Sequence, residues 1–208
     1  MDERVILCFG DSLTWGFNPE NGERYPREKR WTFLLERELG PGWRIIEEGL
    51  NGRTTGFDDP IEGDKNGRRH LPVLLESHRP LHLVIIMLGT NDLKERFGLS
   101  PAGIAQSAGV LVDMVFKSGV SQKVFLVAPP PLAELTELSE VWGFAGGVEK
   151  SKQLAGHYKT VARWYKCHFF DAGKVVKTSS LDGVHWEEAE NRKFAQALAQ
   201  EIRKIFSS

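Results

Sequence analysis

Five short apolar runs, separated by longer segments of helical pattern, constrain the fold of this chain more than any other feature. The runs are rich in Val, Ile, Leu and Phe, and their apolar residues do not alternate with polar ones. Continuous apolar strands of this kind are typical of parallel sheets that are covered on both faces. We predict strands at residues 5–9, 44–47, 81–88, 123–128 and 167–171.

The segments between these runs carry apolar residues at helical spacing. Ser100 and Pro101 are typical of the N-cap and the first position of a helix, and Gly40 is typical of the position that follows a helix end. We predict helices at residues 31–39, from residue 101 onward, at 148–165 and at 187–206.

Strands that alternate with helices predict an α/β fold, a doubly wound five-stranded parallel sheet with helices on both faces. We expect the flavodoxin-like strand order 2-1-3-4-5. The chain has 208 residues and no Gly/Ser-rich or Pro-rich linker, so we expect a single domain over residues 1–208. Such sheets bind ligands at the carboxyl ends of their strands, near the point where the strand order reverses.

Four polar segments follow predicted strands and are therefore expected at that edge. They are Gly10-Asp11-Ser12-Leu13, Gly49 to Thr54, Gly89-Thr90-Asn91-Asp92 and Asp182-Gly183-Val184-His185. In the order 2-1-3-4-5 the first and third strands are neighbours, so Ser12 and Asn91 should face each other across the crevice. A serine that has a histidine and a carboxylate within reach is the arrangement that nucleophilic catalysis requires.

These four blocks resemble those of the GDSL, or SGNH, hydrolases, and the resemblance covers nearly the whole chain. The stretches 6–16 and 85–92 are similar to the bacterial arylesterase/acyltransferase, or perhydrolase-like, branch of that family. A Gly-x-Ser-x-Gly elbow is absent, since Thr14 occupies its final position.

The resemblance implies a role for each motif residue. Ser12 would be the nucleophile, His185 the general base and then acid, and Asp182 the group that orients the imidazole. The oxyanion hole would consist of the backbone N–H groups of Ser12 and Gly52 and the side-chain amide of Asn91. The same likeness implies a serine esterase that hydrolyses short-chain acyl esters, whether aryl, alkyl or carbohydrate esters, through an acyl-enzyme intermediate.

Two other activities use the same triad and stay open, namely an acyltransferase or perhydrolase and a thioesterase. A non-catalytic ligand-binding module is a more remote alternative, because fold does not determine function. Short acyl groups are favoured because no lid-like amphipathic insertion is evident in the sequence.

Residues near the motifs are candidates for binding the substrate. Apolar pocket walls and core residues look alike in a sequence, so both interpretations stay open for the nearby aromatic residues. These candidates for the acyl-pocket wall are Trp15, Phe17, Phe144 and Trp186. Lys94, two residues past the third block, could lie at the rim of the site, although a solvated lysine is the expected interpretation. Asp11 and Asp92 are expected to brace their loops.

Charge and composition argue against several other classes. The 27 basic and 28 acidic residues leave a net charge of −1 and form no basic stripe, so no nucleic-acid partner is expected. The longest apolar run after the first strand is too short to span a bilayer, and the acidic N-terminus does not resemble a signal peptide, so we expect no membrane partner and a cytoplasmic enzyme. The expected partner is a small-molecule ester, without metal or cofactor; a homo-oligomer is left open.

Overall fold

The computed structural model describes residues 3–207, and a parallel sheet lies at its centre. The five strands follow the order β2-β1-β3-β4-β5. They are β1 (Arg4–Gly10), β2 (Trp43–Gly49), β3 (Leu83–Met87), β4 (Val124–Ala128) and β5 (His168–Asp171). The predicted α/β fold and strand order are confirmed, and every predicted strand overlaps an observed one.

Seven α-helices are present along residues 3–207, and the four predicted helices are among them. The helices are α1 (Ser12–Trp15), α2 (Trp31–Leu39), α3 (Gly67–His78), α4 (Pro101–Ser118), α5 (Glu137–Val141), α6 (Gly147–Tyr165) and α7 (Glu188–Ser207). The other three, α1, α3 and α5, were not predicted. In α3, Pro72 interrupts the helical pattern, and Asn66 starts this helix by accepting a hydrogen bond from the Arg68 N–H at 3.0 Å.

Two apolar layers cover the sheet, one on each face. Successive residues of a strand point to opposite faces. In β1, Leu7 and Phe9 therefore pack with residues of α3, α4 and α6, whereas Ile6 and Cys8 pack with residues of α2 and α7. Burial on both sides is the physical reason that the strands read as continuous apolar runs.

The reversal of strand order lies at β1, which pairs with both β2 and β3. At its carboxyl end Gly10 is opposite Gly49 of β2 and Met87 of β3, so the loops that follow these three strands emerge side by side. A side chain at Gly49 would overlap the backbone of Trp15, so α1 can lie this close to β2 only because residue 49 has no Cβ.

Within residues 3–207 we find no helix with the length and apolar character that crossing a membrane requires.

Candidate active site

Ser12 is the first residue of α1 and follows β1 directly. The cap of this helix is Asp11, whose Oδ1 accepts a hydrogen bond from the Leu13 N–H at 3.0 Å. Because Asp11 is the cap, the Ser12 hydroxyl is not needed for that purpose and is available for chemistry. Ser12 is only 6% exposed, at the carboxyl edge of the sheet.

A tight turn from Asp182 to His185 places the imidazole between a carboxylate and the serine. The Asp182 Oδ1 accepts hydrogen bonds from the backbone N–H groups of Val184 and His185, both at 2.8 Å. Its Oδ2 lies 2.6 Å from His185 Nδ1, and His185 Nε2 lies 2.8 Å from Ser12 Oγ. The three side chains therefore form one continuous hydrogen-bonded chain.

The protonation of Asp182 determines which imidazole nitrogen carries the proton. Burial alone would raise the pKa of Asp182, but the hydrogen bonds from the His185 ring and from the two amides outweigh it and hold the pKa below its ordinary value. An ionised carboxylate only accepts hydrogen bonds, so Nδ1 carries the proton and Nε2 is left to accept one from Ser12.

Aromatic rings pack around the imidazole. The ring of Phe17 stacks on His185, with centroids 4.0 Å apart and planes at 25°. Trp142 meets the same imidazole edge-on at 5.9 Å and also contacts Phe17 at 6.1 Å. These contacts restrict rotation of the imidazole away from Ser12.

The three predicted oxyanion donors converge on one cavity with Ser12 and His185. The N–H groups of the first turn of a helix lack an acceptor within the helix, which is the situation of the Ser12 N–H. Gly52 has a φ of +78°, in the left-handed region that glycine adopts without strain. The Asn91 Nδ2 donates one hydrogen bond to the Arg53 carbonyl oxygen at 3.2 Å, which orients its amide and leaves a second N–H.

Arg53, which was not predicted as a site residue from the sequence, braces the loops beneath these donors. It is 4% exposed, and its Nη1 donates to the carbonyl oxygens of Gly10, at 2.8 Å, and of Glu48. The guanidinium lies over the ring of Phe9, 4.3 Å from its centroid. Burial lowers the pKa of Arg53 to about 10. Arg53 therefore joins the ends of β1 and β2 to the loop that carries Gly52.

Asp92 and Asp11 are both fully buried next to the site, in agreement with the predicted bracing role. Asp92 accepts hydrogen bonds from the Thr55 N–H, at 3.0 Å, and from the Thr55 hydroxyl. Burial raises the pKa of Asp92 to about 6 and that of Asp11 to about 7, and each loop is held by a hydrogen bond to its carboxylate.

The cavity has a volume of about 390 Å³, and Phe17 and Phe144 are among its walls. The other two candidate wall residues lie elsewhere. Trp186 is 1% exposed and packs against Phe194 in the core, and Trp15 lies under the guanidinium of Arg24, 5.1 Å from its ring centroid. For Trp15 and Trp186, proximity in sequence to Ser12 and His185 was a poor guide, because adjacent residues of a turn or short helix point in different directions.

Lys94 corrects another expectation, since it is not solvated. It is 4% exposed, lines the cavity, and donates a hydrogen bond from Nζ to Glu62 Oε1 at 2.5 Å. Glu62, Ile61 and Arg96 line the same cavity and were not recognised from the sequence. The only available signal was that Lys94 and Arg96 directly follow the third motif block.

Across residues 3–207, the His, Cys, Asp and Glu side chains form no group of three or more that could hold a metal ion.

Comparison with known proteins identifies the family of this chain. Residues 8–200 match the family model described as the GDSL-like Lipase/Acylhydrolase family. The chain belongs to this family. The motif-based assignment to the GDSL hydrolases and the prediction of a carboxylic ester hydrolase are thereby confirmed.

Solved structures of similar proteins include two esterases. One, Est24 from Sinorhizobium meliloti, is described as a carbohydrate acetylesterase; it is 44% identical, with a TM-score of 0.94 over 98% of this chain and 100% of that chain. The other is the aryl esterase of M. smegmatis, 45% identical, with a TM-score of 0.92 over 97% of this chain and 99% of that chain. A more distant relative is Esterase TesA of Pseudomonas aeruginosa, 23% identical over 88% of this chain and 79% of its own length.

Proposed function

We propose that this GDSL-family esterase uses Ser12 as its nucleophile, His185 as general base and acid, and Asp182 as the group that orients and stabilises the imidazolium. The observation that carries the proposal is the continuous chain from Asp182 Oδ2 through His185 to Ser12 Oγ, with separations of 2.6 and 2.8 Å, at the edge of a cavity.

In the first half of the reaction Ser12 Oγ attacks the ester carbonyl carbon while its proton passes to His185 Nε2. The carbonyl oxygen becomes an oxyanion, which the N–H groups of Ser12, Gly52 and Asn91 stabilise. Donors aimed at the oxyanion act mainly in the transition state, where the negative charge develops. The intermediate collapses when His185 returns the proton to the leaving alcohol, and the acyl group stays on Ser12.

In the second half a water molecule replaces the alcohol. His185 Nε2 takes a proton from this water as its oxygen attacks the acyl carbon, and then returns a proton to Ser12 Oγ as the carboxylic acid leaves. An alcohol in place of water would give acyl transfer by the same steps. We propose hydrolysis as the principal outcome.

The proposed substrates are short acyl esters of aryl or carbohydrate alcohols. The support is the description of the two esterases that are 44% and 45% identical over nearly their full length, together with a cavity of about 390 Å³ that has charged side chains along one wall.

Ser12→Ala tests the nucleophile assignment. The variant should keep the melting temperature within a few degrees and lose essentially all hydrolysis of para-nitrophenyl acetate, by about 10³-fold or more. A fluorophosphonate should label wild type at Ser12, as read by peptide mass spectrometry, and leave the variant unlabelled. Turnover by a folded Ser12→Ala within about tenfold of wild type would end the assignment.

A further inference from the structure

Two segments outside the catalytic motifs form much of the cavity lining. Residues 57–66 contribute Ile61 and Glu62, and we call this loop the acidic wall. Residues 141–144 contribute Val141, Trp142 and Phe144, and we call this segment the aromatic wall.

The guanidinium of Arg96 is bonded to both walls. Its Nε and Nη2 donate to Asp59 Oδ2 at 3.1 and 2.6 Å, and Nη2 also donates to Glu62 Oε1 at 2.9 Å. Its Nη1 donates to the backbone carbonyl oxygen of Trp142 at 3.1 Å. A planar guanidinium holds its N–H groups in a rigid fork, so bonds in different directions hold the two walls at a set separation.

The bonds from Arg96 to Asp59 are partly buried, whereas the bond from Arg96 to Glu62 is exposed. The Asp59 side chain is 0% exposed and that of Arg96 is 16% exposed. Asp59 Oδ1 accepts the backbone N–H groups of Ile61 and Glu62 at 2.8 and 3.2 Å. Burial alone would raise the pKa of Asp59, but the Arg96 guanidinium and these amides more than offset it, so the pKa lies below its ordinary value and the carboxylate is charged at neutral pH.

Lys94, two residues before Arg96, also contacts both the acidic wall and the aromatic wall. Its Nζ bonds Glu62 of the acidic wall at 2.5 Å and lies 5.6 Å from the ring centroid of Phe144 in the aromatic wall. The backbone N–H of Glu95 donates to the Gly143 carbonyl oxygen at 2.7 Å. The segment 94–96 thus contacts both walls through backbone and side chains.

From this geometry we propose that Arg96 determines acyl-chain specificity. By tying the acidic wall to the aromatic wall, it sets the width of the cavity and restricts the acyl group to short chains. The inference rests on the proposed esterase function. Arg96 is a positioning residue, because it acts through the walls and not on the reacting atoms.

The apolar ends of the two walls explain why separation would admit longer chains. Ile61 and Val141 line the cavity but are 73% and 82% exposed. If the walls could move apart, an alkyl chain could bury against these side chains. Each methylene that moves from water to apolar surface is worth about fourfold in kcat/KM. The four additional carbons of a hexanoyl group would be only partly buried. We therefore expect kcat/KM for hexanoate to rise about tenfold or more relative to kcat/KM for acetate.

The test removes the tie without leaving a buried charge unpaired, which by itself would destabilise the fold. In the double variant Asp59→Asn/Arg96→Gln, the side-chain carbonyl of the introduced asparagine can still accept the two wall amides, and Glu62 keeps Lys94. The matched control is Asp58→Asn/Arg69→Gln, which removes an ion pair of 2.7 Å between the same loop and α3. Those side chains are 60% and 68% exposed and lie outside the cavity lining.

The measurement is kcat and KM for para-nitrophenyl acetate and hexanoate. The ratio of hexanoate to acetate kcat/KM should rise about tenfold in the Asp59→Asn/Arg96→Gln variant and stay at the wild-type value in the control. Arg96→Lys keeps the charge but lacks the fork, so it should raise the ratio by a smaller factor. If the double variant does not fold, the hexanoate-to-acetate ratio of kcat/KM in Arg96→Lys tests the proposal instead.

Several results would overturn the proposal. They are an unchanged ratio in folded variants, an equal rise in the control, or a changed preference between phenyl and naphthyl acetates with no change in the acyl ratio. Ser12→Ala is measured alongside on acetate. If it is inactive and wild type is active, the proposed function stands, and an unchanged ratio contradicts the role of Arg96 alone.

Discussion

Asn91→Ala separates catalysis from structure at the oxyanion hole. The Asn91 side chain is 4% exposed and makes one hydrogen bond of 3.2 Å to the Arg53 carbonyl oxygen, while the same residue lines the cavity beside Ser12. If it were only a brace, alanine would cost the stability of one hydrogen bond and a buried unpaired acceptor, about 1–3 kcal/mol. The melting temperature would then fall by several degrees, with little effect on kcat.

If the second N–H of Asn91 donates to the oxyanion, Asn91→Ala should lower kcat by far more than the loss of one structural hydrogen bond would. Removal of one such donor costs about 10²–10³ in kcat, because the charge is present in the transition state and not in the ground-state ester. KM should change little for the same reason. We expect Asn91→Ala to lower both the melting temperature and kcat, since one N–H of the amide donates to Arg53 and the other is available to the oxyanion.

The assay is kcat, KM and melting temperature on para-nitrophenyl acetate. Asn191→Ala is the matched control, because Asn191 is also buried and accepts hydrogen bonds from Trp31 N at 3.2 Å and Trp186 Nε1 at 3.1 Å on the other face of the sheet. It should lower the melting temperature and keep most of kcat. If Asn91→Ala lowers the melting temperature by several degrees while kcat drops less than about fivefold, the three-donor oxyanion hole is wrong.

Other predictions test the remaining groups. Asp182→Asn should fold but favour the wrong imidazole tautomer and lower kcat by up to about 10⁴-fold, and loss of less than about tenfold would contradict its role. Acetyl and propionyl aryl esters should react faster than octanoyl esters, and chelators should leave the rate unchanged because the triad supplies every proton transfer; inactivation that added metal reverses would refute this. Burial raises the pKa of Asp11 from 3.8 to about 7, so within that window the folded state binds a proton more tightly than the unfolded chain, and stability should fall as pH rises. Asp11→Asn can still accept the Leu13 N–H, so its melting temperature should exceed that of wild type by several degrees at pH 8 and by less at pH 5; equal differences at both pH values would contradict the assignment.

The candidate active-site motifs could be recognised without coordinates because each of them is local. Asp11 to Leu13 follow β1, Asn91 follows β3, and Asp182 accepts the backbone N–H groups of Val184 and His185 within a single turn. Given the expected flavodoxin-like strand order, the approach of Ser12 to Asn91 follows from the adjacency of β1 and β3. The distances, the cap at Asp11 and the stacking of Phe17 on His185 required the structure.

The sequence by itself determined the strands and the α/β architecture, because apolar runs encode local preferences that survive in any packing. The candidate triad followed from the resemblance of its short motifs to those of the GDSL hydrolases. The tertiary structure decided which side chains form the cavity. Lys94 reads as a surface lysine, yet it is buried against Glu62, and Arg96 joins residues 37 and 46 positions away in the chain, Asp59 and Trp142. Such contacts follow from how separate loops pack above the sheet, and no periodic pattern in any one loop specifies its partners in the others.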